Sequence, residues 1–96
     1  MIERTFLIKA RLGLHARAAG RLVRVANGYQ SQVLLRRVDG GATADAKSIL
    51  SVLMLAASRG TALHLSVEGV DEEAAMNAIE RLFADAFGDM EPESAL

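Results

Sequence analysis

The sequence predicts an α+β domain in which hairpin-linked strands carry helices packed on one face. Three observations predict it. The apolar residues switch between strand and helix periods along the chain, in the order strand, helix, strand, strand, helix, strand, helix. A turn signal, Asp39–Gly40–Gly41, joins the two middle strands as a hairpin. The strands alternate apolar and polar residues, so one sheet face suits a core and the other suits water. The chain has 96 residues, enough for one domain with one modest core. Residues 1–88 carry the pattern, and residues 89–96, with the only proline and little to bury, read as a flexible tail.

The first strand is read over "TFLIKA" from Thr5, with Phe6 and Ile8 on one face and Leu7 and Lys9 on the other. Arg11 to Leu14 form a loop holding Gly13. From Ala16 the period is helical: Ala16, Ala19, Leu22, Val23 and Ala26 make an apolar stripe, and Arg17, Arg21 and Arg24 share another face. Asn27–Gly28 ends this helix, since both residues tolerate the left-handed conformation of a helix C-terminus. "SQVLLRRV" is the second strand, and "ATADA" returns after the hairpin as a short, weak one. In "KSILSVLMLAASRG", Ser48 is placed to cap a short helix and Gly60 to end it. Ile49, Leu50, Val52, Leu53, Met54 and Leu55 run almost all the way round that helix. A chain of this size cannot bury every side of it, so some of these side chains are expected in solvent. "TALHLSVEG" sends Leu63, Leu65 and Val67 inward and His64, Ser66 and Glu68 outward. Asp71 caps the last helix, with Glu72 and Glu73 in its first turn to suit the dipole. Its inward stripe is Ala75, Ile79, Leu82, Phe83 and Ala86, and Gly88 ends it.

Composition narrows the function. Hydrophobic residues are 51% of the chain and charged ones 24%, an ordinary globular balance, and the low aromatic share of 4% leaves a core of Leu, Val, Ile and Ala. A net charge of −1 argues against nucleic acid as partner, because binding phosphates takes a basic excess. The absence of Cys removes disulfides, thiol nucleophiles and thiolate metal sites. No apolar run approaches a membrane span, and MIERTFLIKA is no signal peptide, so a cytoplasmic protein that does not engage membranes is expected. There is no G-x-S-x-G elbow, phosphate-binding P-loop or H-E-x-x-H. His64 lies in a different element from His15 and has no evident carboxylate partner, so neither a metal nor another cofactor is expected.

The chemistry concentrates in "GLHARAAGRLV", residues 13–23. If a helix begins at Ala16, the N–H groups of Ala16, Arg17 and Ala18 lack intrahelical acceptors and form an anion site at the positive end of the dipole. His15 at the cap position reaches any anion held there, and Arg17 adds a planar fork of donors suited to phosphate oxygens. Two readings stay open at this point: phosphate held on or beside an imidazole, and an exposed histidine with no chemistry. An H-x-R at a helix start is common, so the local pattern by itself does not favour the first.

That stretch, together with "AKSILSVLMLAASRGTALHLSVEGVDEEAAMNAIERL", resembles HPr, the histidine-containing phosphocarrier family of the bacterial phosphotransferase system. The likeness runs from about Thr5 to about Phe87. Two motifs carry it, G-[LI]-H-A-R-x-A around the histidine and K-S-I-x-x-[VL]-[ML] at the short helix. The resemblance implies a β-α-β-β-α-β-α open-faced sandwich, a four-stranded antiparallel sheet with three helices on one face. It implies that His15 is the phosphoryl acceptor through Nδ1 and that Arg17 neighbours the phosphate. Ser48 matches a serine that a kinase/phosphorylase modifies in some bacteria, and Ile49, Leu50 and Leu53 match partner-docking positions. Arg21 and Arg24 would extend a basic rim toward acidic partner surfaces. The implied partners are Enzyme I and IIA-type proteins, met as a monomer acting as a transfer intermediate rather than a stand-alone enzyme. The alternative is a regulatory module of the same fold, in a nitrogen-type or carbon-control branch, switched by phosphorylation at His15 or Ser48. The chain departs from the family in two places. Ala18 stands where the family has proline, and the turn at Asp39–Gly41 is slightly longer than usual.

Overall fold

The computed structural model describes residues 1–88. The elements follow in the order β1 (Ile2–Leu7), α1 (Ala16–Asn27), β2 (Gln32–Arg37), β3 (Thr43–Asp45), α2 (Ile49–Leu53), β4 (Ala62–Glu68) and α3 (Glu72–Ala84), with a 3-10 turn at Ala86–Gly88. The four strands form one sheet in the order β1-β4-β2-β3, every neighbouring pair antiparallel. This is the expected α+β open-faced sandwich. The tail expected at residues 89–96 lies outside the described residues.

The register explains the core. Leu63, Leu65 and Val67 of the central strand β4 are fully buried, and they pair across to Phe6 and Ile2 on β1 and to Leu35 and Val33 on β2. A one-residue slip would expose all of them, so burial holds the register. Onto this face pack Ala18, Ala19, Leu22 and Ala26 of α1 and Ala75, Met76, Ile79 and Phe83 of α3. Phe83 stacks on Phe6 with ring centroids 5.0 Å apart and meets Phe87 edge-on at 4.9 Å. The other face stays polar. Thr5, His64, Arg36 and Thr43 lie in one cross-strand row. His64 does have a carboxylate partner, contrary to the expectation: Glu3 of the neighbouring strand β1 lies 2.8 Å from its Nε2. Pairing across strands created that neighbour.

Several element ends differ from those expected. β1 begins at Ile2 rather than Thr5, because the ladder with β4 runs on to Val67 through the polar Glu3 and Arg4. Arg4 is kept at the sheet edge by Glu80 of α3, 2.7 Å away. In α1 it is Ala18, not Ala16, that belongs to the buried stripe. The helix stops at Asn27 as expected, yet Gly28 is right-handed (φ −77°), so no left-handed residue ends it. The Asn27 amide donates instead to Val23 O and Lys47 O, tying the helix end to the chain before α2. α2 ends at Leu53, well before Gly60, and the chain turns through Ala56 in the left-handed region (φ +50°). α3 likewise ends at Ala84, short of Gly88, and its buried stripe includes Met76 while Leu82 is half-buried.

Asp71 stands at the cap position of α3, but its side chain caps nothing there. Its carboxylate accepts from Gln30 N–H, Ser31 N–H and the Ser31 hydroxyl, joining the α1–β2 turn to α3. Glu72, the first residue of the helix, accepts from Gly69 N–H at 3.0 Å and so braces the turn that leads into α3.

The loop between β1 and α1 lies against the α2–β4 connection. Ile8 N–H donates to Thr61 O and Gly60 N–H to Ile8 O, continuing the pairing past the end of β1. Gly13 N–H closes a turn on Ala10 O, and Leu14 N–H donates to Ala57 O at 2.8 Å. Gly13 has φ +71°, and a Cβ there would fall 2.5 Å from Ala57 O and 2.8 Å from Ser58 Cα. Only glycine lets these two backbones meet.

Two outcomes follow. The Asp71 carboxyl is held below the usual range, chiefly by the Ser31 hydroxyl and then by the Gln30 N–H. Such a group stabilises the fold fully above its unfolded value of about 3.9 and loses that contribution as pH falls through the folded value. Asp71→Asn is therefore expected to lower Tm at neutral pH and to flatten part of the acid fall in Tm, measured by thermal melts across pH. An unchanged acid limb would show the carboxylate contributes nothing there. Gly13→Ala combines left-handed strain with a backbone clash and is expected to cost about 2 kcal/mol in denaturant unfolding. A variant as stable as the parent would contradict this packing.

Candidate functional site

His15 is the N-cap of α1, with extended backbone (φ −75°, ψ 179°). Ala19 N–H donates to His15 O at 2.8 Å and opens the helical ladder. The N–H groups of Ala16, Arg17 and Ala18 precede that first bond and sit at the positive helix end. The His15 side chain folds back over them, and its Nδ1 accepts from Arg17 N–H at 3.3 Å. Nδ1 is therefore the ring nitrogen whose lone pair faces the helix N-terminus. Arg17 is exposed, His15 half-exposed and Ala18 fully buried. Ala18 thus holds the first helical turn to the core through its methyl.

The loop described above orients this histidine. Leu14, its chain neighbour, is buried and hydrogen-bonded to Ala57, just beyond α2. The C-terminal end of α1 is tied through Asn27 to Lys47, just before α2. The end of α2 therefore lies toward His15 and its start lies away. Ser48 caps α2 as expected, its hydroxyl accepting from Ser51 N–H at 3.3 Å.

Of the residues expected to dock partners, Ile49 is 42% and Leu50 66% exposed, as an apolar interaction surface requires. Leu53 is half-buried and packs against the core. Met54, 77% exposed, bears out the expectation that part of this apolar helix faces solvent, though it was not among the expected docking residues; Leu12, 60% exposed in the loop before His15, was not picked out by sequence. Arg24 is exposed in the last turn of α1. Arg21 is half-buried, and its guanidinium donates to the Phe87 carbonyl of the terminal turn.

A groove of about 340 Å³ runs between α2 and the β2–β3 hairpin, lined by Arg37, Thr43, Ser51, Met54 and Leu55 among others, and His15 is not part of it. Among the described residues no three His, Asp or Glu side chains gather where a metal could bind, and no helix is long and apolar enough to cross a membrane. The arrangement offers a surface imidazole whose Nδ1 already faces amide donors, with a guanidinium two residues on and an apolar helix nearby. It suits an anion delivered on the surface of another protein.

Comparison with known proteins agrees. Residues 2–85 match the family model for the PTS HPr component phosphorylation site. The phosphocarrier protein HPr of Cupriavidus necator is 44% identical over 91 residues, covering 95% of this chain and all of the relative. That of Pseudomonas aeruginosa is 47% identical over 81 residues, covering 84% of this chain and 89% of the relative. The crystal structure of HPr-C-His from Thermoanaerobacter tengcongensis superposes with a TM-score of 0.88 at 37% identity, over 95% of this chain and all of that one. A match of this extent, on a chain whose sheet, helix order and helix-start histidine were reached without it, places the protein in the HPr family, the phosphoryl carriers of the phosphotransferase system.

Proposed function

We propose that His15 is the phosphoryl acceptor and that Nδ1 is the atom modified. The observation that carries this is the Arg17 N–H directed at His15 Nδ1. A phosphoryl group on that nitrogen enters the space at the head of α1, and Arg17 N–H passes from the ring lone pair to a phosphoryl oxygen. Phospho-Enzyme I is the donor. Its P–N bond breaks as Nδ1 attacks in line, and the new P–Nδ1 bond forms with the donor imidazole leaving. The Arg17 guanidinium and the N–H groups of Ala16, Arg17 and Ala18 bear on the three equatorial oxygens. The second transfer repeats the first in reverse roles, His15 being the leaving group and a IIA-type protein supplying the nucleophile. Exchange between nitrogens of similar basicity keeps the phosphoryl group near thermoneutral, as a relay needs.

Ile49, Leu50 and Leu53, joined by Met54, form the docking surface, with Arg24 and Arg21 of α1 as its basic rim, Arg21 being held by the Phe87 carbonyl. Regulation at Ser48 is a separate modification on the same surface. Its side chain now serves as a cap, so a phosphate there would change both the start of α2 and the charge beside the docking residues. The carrier works as a monomer in the cytoplasm.

Incubation with phosphoenolpyruvate and Enzyme I is expected to give one acid-labile phosphate, absent from His15→Ala. Labelling retained in that variant refutes the assignment. Arg17→Ala is expected to slow acceptance roughly tenfold or more, read as the initial rate of labelling. Ser48→Ala is expected to cost about 1 kcal/mol of stability as a lost cap. It is also expected to abolish any acid-stable phosphate added by a serine kinase, and an acid-stable phosphate that persists would place that modification elsewhere.

A further inference from the structure

Arg37, at the end of β2, makes contacts that neither the core nor the docking surface explains. Its Nε donates to Asp39 Oδ1 at 2.9 Å and its Nη2 to Asp39 Oδ2 at 2.8 Å. This two-point pairing fixes the guanidinium plane. The remaining nitrogen, Nη1, reaches across to the exit of α2 and donates to Leu55 O at 3.1 Å and Ala56 O at 3.2 Å. Ala56 is the residue held in the left-handed region at φ +50°. A residue bearing a Cβ resists that conformation, so something must hold it there. The next residue, Ala57, supplies the carbonyl that receives Leu14 N–H, one residue before His15. Electrostatics support the pair: the Asp39 carboxyl is held below its usual range by the Arg37 hydrogen bonds, and Arg37 is raised by the same partner. Both residues lie largely at the surface, where an ion pair adds little to stability. Their geometry is the more informative property.

We propose that Arg37 is a positioning residue for phosphoryl transfer, clamped by Asp39 and acting through Ala56 and Ala57 to set the orientation of Leu14 and His15. The proposal rests on the assignment of His15 as acceptor. Releasing the clamp lets Ala56 relax toward the right-handed region. The Ala57 carbonyl then swings off Leu14 N–H, and the imidazole loses its alignment with the incoming phosphorus. Of the docking residues, Ile49 and Leu50 lie at the start of α2, away from the clamp, and stay in place, while Leu53 and Met54 adjoin the released carbonyls. The effect falls on the rate at saturation more than on KM.

The experiment measures transfer from phospho-Enzyme I to the full chain, as kcat and KM, for the parent, Arg37→Met, Arg37→Met/Ala56→Gly, Asp39→Asn and His15→Ala. Arg37→Met is expected to lower kcat about tenfold with KM nearly unchanged, since small misplacements of reacting groups cost rate steeply. Its Leu14 amide proton is expected to move upfield in NMR spectra as the bond to Ala57 weakens. Adding Ala56→Gly is expected to restore both, because glycine takes the left-handed step without a clamp. A merely structural role for Arg37 would not be rescued this way. An undiminished kcat in Arg37→Met, or a loss that Ala56→Gly fails to recover, overturns the proposal. If Arg37→Met does not fold, Asp39→Asn carries the same comparison: a lower kcat with a shifted Leu14 amide supports the clamp, and parental values overturn it. An acid-labile phosphate on His15→Ala would instead remove the assignment of His15, whereas parental rates in the Arg37 and Asp39 variants would leave that assignment standing.

Discussion

The site depends on one hydrogen bond, from Leu14 N–H to the carbonyl of Ala57. It joins the loop that ends in His15 to the connection that leaves α2. Without it the stretch next to the cap histidine would be held only further back, by the turn at Ala10–Gly13 and the Ile8 pairing with Gly60 and Thr61. The bond exists because β1 and β4 are antiparallel neighbours in the sheet, so the loop that leaves β1 and the connection that enters β4 run side by side. It also exists because Gly13 has no side chain to keep the backbones apart. The sheet thus places His15, although the histidine itself lies in no strand.

A carrier must be recognised in turn by partners with different active sites, and the surface around His15 fits that demand. The imidazole is half-exposed and lies outside the groove between α2 and the hairpin, so in the proposed function a partner would bring the walls of the reaction site with it. The exposed apolar residues of α2 offer contact that is not directional and can repack against more than one surface. The fixed part is small: the head of α1, whose amides and Arg17 are, in the function proposed above, the groups that meet the phosphoryl oxygens. Specific geometry at the phosphorus and permissive geometry around it are separated onto two helices.

Much of the fold was legible. The alternation in β4 and β2 and the hairpin glycines place the sheet and its inward face, and the periodicity of α1 and α3 places the helices. What failed to be legible came from tertiary pairing. Glu3 and Arg4 hid the start of β1 because their partners, His64 and Glu80, come from β4 and α3. Asp71 reads as a helix cap and serves as a staple, since the Gln30 and Ser31 N–H groups that take its carboxylate arrive from another turn. Gly60 reads as the end of α2, yet Ala56 makes the turn, a role that alanine does not advertise. His15 and Arg17 were visible only as a weak local pattern, and the short helix motif far along the chain gave them meaning. The Arg37–Asp39 clamp was invisible because its targets are backbone carbonyls.

The central claim is that the head of α1 receives a phosphoryl group carried on Nδ1 of His15. The most direct measurement is NMR of the phosphorylated, nitrogen-15-labelled protein, reading which ring nitrogen couples to phosphorus and how the Arg17 and Ala18 amides respond. The account predicts phosphorus on Nδ1 with both amide protons moving downfield as they meet the phosphoryl oxygens. Phosphorus on Nε2, or amides that do not respond, would contradict it.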